Sequence, residues 1–183
     1  MQGQEAKGKG QGIPFVFETE TPEQTEKLGR QLGLLLESGD VVTLSGELGG
    51  GKTCFVRGIV SGVAPESLDM VASPTFAILN EYPGAYPVLH YDCYRLCGCD
   101  DAVELGLEDH LGGAGICLIE WPERIRDILP DNRIDLKFEY SDDSGRRITF
   151  VSHGDRAAEK IDQLATICPA MKKILSGEDR SAI

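Results

Sequence analysis

The stretch LSGELGGGKT, residues 44 to 53, limits what this chain can fold into more than any other. Upstream, DVVTLSG is a short β-branched apolar run suited to a strand buried on both faces. Downstream, KTCFVRGIVSGV returns to helical spacing through Phe55, Ile59 and Val63. Strand, glycine loop and helix in that order place Gly46, Gly49, Gly50, Gly51, Lys52 and Thr53 in the pattern G-x-x-x-x-G-K-[ST], in the context where that pattern carries meaning. A flexible glycine turn before an ordinary helix is the bland alternative, and both flanks argue against it.

Glycines let a backbone turn through positive φ and bring N–H groups against phosphate oxygens, while the helix N-terminus adds favourable partial charge. Lys52 is expected in a solvent-facing loop with its ammonium between the β and γ phosphates, and the Thr53 hydroxyl on Mg²⁺. The metal also needs an acid. Asp92, after VLHY, and Glu120, after ICLI, each end an apolar run, where the crevice of an α/β sheet lies. Glu120 is the first choice for Mg²⁺ or water positioning because its run reads best as a buried strand, and Asp92 is the second. NRID, residues 132 to 135, approaches the guanine-reading pattern N-K-x-D. Asp135 is better explained as the outward member of an alternating strand, so ATP is the favoured nucleotide.

The remaining elements fit around this unit. TPEQTEKLGRQLGLLLES carries Thr21 as N-cap, Pro22 at the first helical position and Gln24 in a capping box, with Leu28, Leu32, Leu35 and Leu36 on one face. PVLHYD and GICLIEW read as strands, and DDAVELGLEDHL between them as a helix capped by Asp101. Such alternation implies a parallel sheet flanked by helices. From Ile134 the residues alternate, then SDDSG turns into RRITFV, a hairpin with one wet face. The expectation is one α/β P-loop NTPase domain over residues 14–153, a mostly parallel sheet with a C-terminal antiparallel hairpin. Residues 1–13 read as a disordered leader and 154–183 as a helical extension, either docked or a solvated tail.

Composition removes several function classes. There is no run of about 18 apolar residues, so no membrane span is expected. Six cysteines without an apolar export segment point to reduced thiols in the cytoplasm. A net charge of −12, from 18 basic and 30 acidic residues, counts against a protein that grips DNA or RNA unaided. Cys93, Cys97 and Cys99 near His90 invite a zinc reading, but C-x₃-C-x-C is not a usual zinc spacing, and packing or surface roles are preferred. Arg146 and Arg147 suit a charged hairpin face or a contact to tRNA.

With these elements located, the chain resembles the TsaE family, small bacterial P-loop ATPases of tRNA threonylcarbamoyladenosine biosynthesis. GELGGGKTCFVRGI, VASPTFAILNEY, HYDCYRL, ELGLEDHL and LIEWPERI stand in the family's order and spacing, over about residues 15 to 151. The resemblance implies ATP/ADP and Mg²⁺ as cofactors and an ATPase that is slow alone. It implies work with TsaB-like and TsaD-like proteins that install threonylcarbamoyl on adenosine 37 of tRNAs reading codons that start with A, with tRNA met indirectly. Carried onto this chain, Lys52 and Thr53 bind phosphate and Mg²⁺, Thr75 belongs to a switch-like segment, and Asp92 and Glu120 are the functional acids. Trp121 matches a tryptophan beside the nucleotide, or else is an interior aromatic at a strand end. Arg95 either neutralises phosphate or is a solvated or salt-bridged arginine. Cys54 departs from the family, standing where a second threonine often binds near the α-phosphate, and a thiol is the poorer donor. A small-molecule kinase and a nucleotide-gated binding module with incidental hydrolysis are the competing functions.

Overall fold

The computed structural model describes residues 14–73, 77–141 and 145–173. The expected leader, Thr75, the middle of the SDDSG turn and residues 174–183 lie outside the described residues. The chain runs β1 (Phe15–Thr19), α1 (Pro22–Gly33), β2 (Val41–Gly46), α2 (Lys52–Val63), β3 (Leu79–Tyr82), β4 (Val88–Asp92), α3 (Cys99–Glu104), α4 (Leu107–His110), β5 (Ile116–Glu120), β6 (Arg133–Tyr140), β7 (Arg146–His153), α5 (Asp155–Ile167) and β8 (Lys172–Lys173).

Among the described residues, eight strands form one mixed sheet in the order β3-β4-β5-β2-β6-β7-β1-β8. β4, β5, β2 and β6 are mutually parallel, and antiparallel strands close both edges. The expected hairpin is β6 and β7, but β6 also pairs in parallel with β2, so the hairpin continues the sheet's centre. β1 lies beyond β7 and was not foreseen, because FVFET is short and its partner is far away in sequence.

Strand alternation sends successive side chains to opposite faces. Val42, Leu44, Leu118 and Ile116 build one core with α1, α2 and α5. Val41, Tyr91, Cys117 and Ile119 build the other with Ala102, Leu107 and Ile125. The site acids belong to the first face.

Thr21 caps α1 as its sequence predicts, its hydroxyl accepting the Gln24 N–H at 3.3 Å. Gln24 reaches back to the N–H of Glu20 at 2.8 Å, one residue earlier than in the usual box. The single helix expected over DDAVELGLEDHL is instead two, α3 and α4, because Gly106 turns left-handed at φ 70°. Asp101 is not the cap residue but lies inside α3, its carboxylate accepting the Cys97 N–H at 2.7 Å.

Helices α1 and α2 touch backbone to backbone. A Cβ on Gly58 would stand 2.1 Å from the Glu26 carbonyl oxygen, and one on Gly29 2.3 Å from that of Phe55. This contact fixes the start of α2, and with it the glycine loop, against the start of α1. α5 docks through Ala157, Ile161 and Leu164, and its buried Lys160 donates to Leu35 O at 2.9 Å and pairs with Glu37 at 3.0 Å and Asp40 at 3.3 Å. Among the described residues, no helix is long and apolar enough to cross a membrane.

Candidate functional site

β2 ends at Gly46, and the loop turns into α2 through Gly49 and Gly51, whose φ angles of 76° and 103° favour glycine. Lys52 then opens α2 and corrects one expectation. It does not face solvent, being only 5% exposed. Its Nζ donates to the carbonyls of Gly46 at 2.8 Å and Glu47 at 2.9 Å, and lies 4.7 Å from the centroid of the Trp121 ring. Burial pushes the Lys52 pKa down, and the carboxylates of Glu120, Asp92 and Glu123 push it back up.

The two acids stand side by side. Asp92 and Glu120 are register partners at the ends of the parallel strands β4 and β5, and Glu120 is also level with Leu44 of β2. Both carboxyl-bearing residues are buried, at 5% and 3% exposure. The Asp92 carboxylate accepts the Tyr94 N–H at 2.9 Å, while its own N–H donates to the carbonyl of Ile78, a β-branched residue held at φ 64°. Glu120 Oε1 receives His90 Nε2 at 3.0 Å. Trp121 follows in the left-handed region, φ 59° and ψ 50°, which carries the indole over Lys52 and within 5.0 Å of the Tyr94 ring. Non-glycine residues rarely hold such angles unless their surroundings over-determine them.

The loop, Thr53, Ser73, Asp92, Glu120 and Trp121 line a cleft of about 250 Å³. A second cleft of about 220 Å³ lies on the other side of Gly49 and Gly51, walled by Thr19, Thr21, Pro22, Thr25, Cys54 and Arg146. The Cys54 thiol donates to Pro22 O at 3.2 Å, and burial together with Glu26 and Glu23 raises its pKa. Arg146 is turned onto the loop, donating to the Gly50 carbonyl at 2.9 Å and the Gly49 carbonyl at 3.3 Å, with its guanidinium 4.4 Å from the Tyr140 ring centroid.

The chain's segment from β1 to β7 matches, at residues 19–148, the family model described as threonylcarbamoyl adenosine biosynthesis protein TsaE. The chain belongs to the TsaE family. The tRNA threonylcarbamoyladenosine biosynthesis protein TsaE of Bacillus subtilis is 36% identical over 150 residues, 81% of this chain and 92% of that one. The protein of the same name from Treponema pallidum is 38% identical over 127 residues, 69% of this chain and 93% of that one. The crystal structure of Bacillus subtilis YdiB superposes with a TM-score of 0.71 at 31% identity, covering 85% of this chain and 96% of that one.

In this TsaE-family chain the structure brings together the glycine loop, Lys52, Thr53, Asp92, Glu120 and Trp121 around one cleft, and Cys54 borders both clefts. Arg95 is exposed. Arg147 pairs with Glu18 at 3.2 Å. Asp135, in β6, is held by Thr43 at 2.8 Å, Arg133 at 2.9 Å and His153 at 2.7 Å. Among the described residues, no group of three His, Cys, Asp or Glu is placed to hold a metal ion, and His90 is engaged by Tyr82 and Glu120. Sequence reasoning missed Thr19, Thr25, the loop contact of Arg146 and the contact of His90 with Glu120. For His90 a signal existed: two positions before Asp92 on a strand, it shares that residue's face.

Proposed function

We propose that this chain binds Mg²⁺·ATP at the glycine loop and hydrolyses it in the service of tRNA threonylcarbamoyladenosine biosynthesis, the task for which its relatives are named. Lys52 carries the reading: a buried ammonium resting on two carbonyls of its own loop, beside two buried carboxylates, at the end of a parallel strand. A phosphate is a stronger partner for that ammonium than a neutral carbonyl. The first N–H groups of α2 and the loop N–H groups supply the rest of the anion site.

Thr53, Asp92 and Glu120 offer oxygen atoms only, the donor set a hard cation takes, and these residues would hold Mg²⁺. When bound, the ion would neutralise phosphate charge at the cleft. Glu120 and Asp92 orient the attacking water, and Trp121 with Tyr94 limits the access of other solvent. The second cleft lies past Cys54, on the side away from the acids, and takes the nucleoside. The proposed partners are TsaB-like and TsaD-like proteins of the cytoplasm, with tRNA met through them, since a chain of net charge −12 is poorly suited to hold RNA by itself.

The isolated chain is expected to hydrolyse ATP slowly, because Arg146 is engaged with loop carbonyls and Arg95 is exposed. Completing such a site with a positive group is worth roughly 10³–10⁵ in rate. Phosphate release measured for the chain alone, with tRNA, with both partners and with all together tests this. Stimulation should follow the partners and not tRNA. Fast turnover by the chain alone, or a folded protein that does not bind ATP by calorimetry, would overturn the reading.

A further inference from the structure

Behind Glu120 lies a line of polar groups, buried at His90 and Tyr82 and reaching the surface at Asn80 and Ala72, that the proposed chemistry does not itself use. His90 is fully buried, with Nε2 3.0 Å from Glu120 Oε1 and Nδ1 3.4 Å from the Tyr82 hydroxyl. That hydroxyl is also 3.3 Å from the Ala72 carbonyl, and Asn80 Nδ2 reaches both, at 3.4 Å to the hydroxyl and 3.1 Å to the carbonyl. Ala72 precedes Ser73, which lines the loop cleft. The line therefore starts at one wall of the cleft, passes under the sheet's first face and returns to the carboxylate on another wall.

We propose that His90 is the positioning residue of Glu120. A carboxylate only accepts, so Nε2 carries the proton of that bond and Nδ1 is left to face Tyr82. Holding Oε1 from behind fixes the rotation of the carboxyl group and turns Oε2 toward the cleft that Glu120 lines. The Tyr82 hydroxyl gives its one proton to Nδ1 and accepts from Asn80 Nδ2, which also donates to the Ala72 carbonyl, so the backbone at Ala72 and the acid at Glu120 share one hydrogen-bonded rail through Asn80. A buried histidine is costly unless both nitrogens are met, and an apolar residue would fill this place with less risk to the fold. Its presence beside the acid is what a supporting group for an active carboxylate requires. The inference rests on the reading of Glu120 as an acid of the nucleotide site.

Two measurements on the full chain test it separately from that reading. In the nucleotide-free protein, long-range ¹H–¹⁵N spectra of the three histidines, with His90 identified by its loss in His90→Gln, should show the proton on Nε2, with a shift that moves in Glu120→Gln. A proton on Nδ1, or a shift blind to Glu120→Gln, would overturn the proposal whether or not ATP is bound. For function, the single tryptophan, Trp121, reports nucleotide binding by fluorescence. His90→Leu should lower Mg²⁺-dependent turnover on the order of 10–100-fold and weaken the effect of Mg²⁺ on the Trp121 signal. Its affinity for ATP in chelator should stay near that of the wild type. His90→Gln, which keeps an N–H donor near the place of Nε2, should recover most of the loss, whereas His90→Asn, one methylene shorter, should not. If His90→Leu does not fold, the Gln and Asn pair decides. Turnover equal in His90→Gln and His90→Asn, or His90→Leu equal to wild type, would refute the positioning role. A wild-type protein whose Trp121 ignores ATP would count against the nucleotide reading, and the histidine spectra would still decide the bond.

Discussion

Gly58→Ala should destabilise the protein, although glycine is a poor helix residue and alanine the best. In an exposed helix the substitution gains about 1 kcal/mol. Here the new Cβ would lie 2.1 Å from Glu26 O and 2.9 Å from Arg30 N, both backbone atoms of α1 that no rotamer change can move. Ordinary contact needs about 3.5 Å, so the helices must part locally by roughly 1.4 Å. That movement also loosens the neighbouring backbone contacts of Gly29 with Phe55 and of Gly33 with Ile59. Overpacking of this kind costs typically 1–3 kcal/mol, and a backbone neighbour places it at the upper end. Subtracting the propensity gain leaves a net loss of about 2 kcal/mol, or a fall of about 4–8 °C in melting temperature for a chain of this size. Urea denaturation with an unchanged slope, alongside a thermal melt, measures it. Gly98→Ala is the control, because nothing lies within 4 Å of its Cβ position, and it should change stability by less than about 0.5 kcal/mol. Stability equal to or above wild type in Gly58→Ala would refute the close approach of α1 and α2.

Lys52→Met, which keeps most of the buried stem, should lower ATP affinity by roughly ten- to a hundredfold, the worth of one charge-assisted bond of about 1.5–3 kcal/mol; equal affinity by calorimetric titration in a folded variant would reject the assignment. Glu120→Gln should retain ATP binding while hydrolysis falls steeply, and Asp92→Asn should do so to a lesser degree; the reverse order of phosphate-release rates would exchange their roles. Burial raises the thiols of Cys93 and Cys117 to about 12 from an ordinary 9.0, so the folded chain keeps protons that the unfolded chain releases. Stability therefore falls as pH rises from about 9 toward 12, by roughly 1.4 kcal/mol per pH unit for each thiol. The lowered pKa of Lys52 acts with the opposite sign below its ordinary 10.5, because there the unfolded chain holds the extra proton. Cys117→Ala should flatten the alkaline loss in denaturant midpoints, and an unchanged pH slope would contradict the assignment. In the native protein at pH 8, the exposed Cys97 should be alkylated well before Cys93 or Cys117.

Local signals carried the reading wherever the relevant partners are near in sequence. The phosphate loop depends on glycines, a lysine and a threonine within eight residues, and the cap of α1 on Thr21 and Gln24, three apart. Asp92 and Glu120 were legible because each is the acidic residue that closes an apolar run, and in parallel strands those ends line the crevice. Short range also explains the error at α3 and α4: helical spacing continues through Gly106, and only the packed chain shows that this glycine breaks it.

Tertiary structure decided the rest, since each case depends on residues brought together from distant parts of the chain. That Asp92 and Glu120 are neighbours follows from the register of β4 with β5. Lys52 looked solvent-facing in a polar loop, yet the indole of Trp121 and the strand-end acids close over it from 68 or more residues away in all but one case, Asp92 at 40. Arg146 reaches the loop carbonyls only because β7 follows β6 back along the sheet, and β1 finds its place only once β7 offers an edge. His90 meets Glu120, 30 residues away in sequence, because β4 and β5 lie side by side. Sequence by itself determined which chemical groups the chain possesses and the local turns that display them. Which of those groups face one another was settled by strand order and helix packing, which no local pattern encodes.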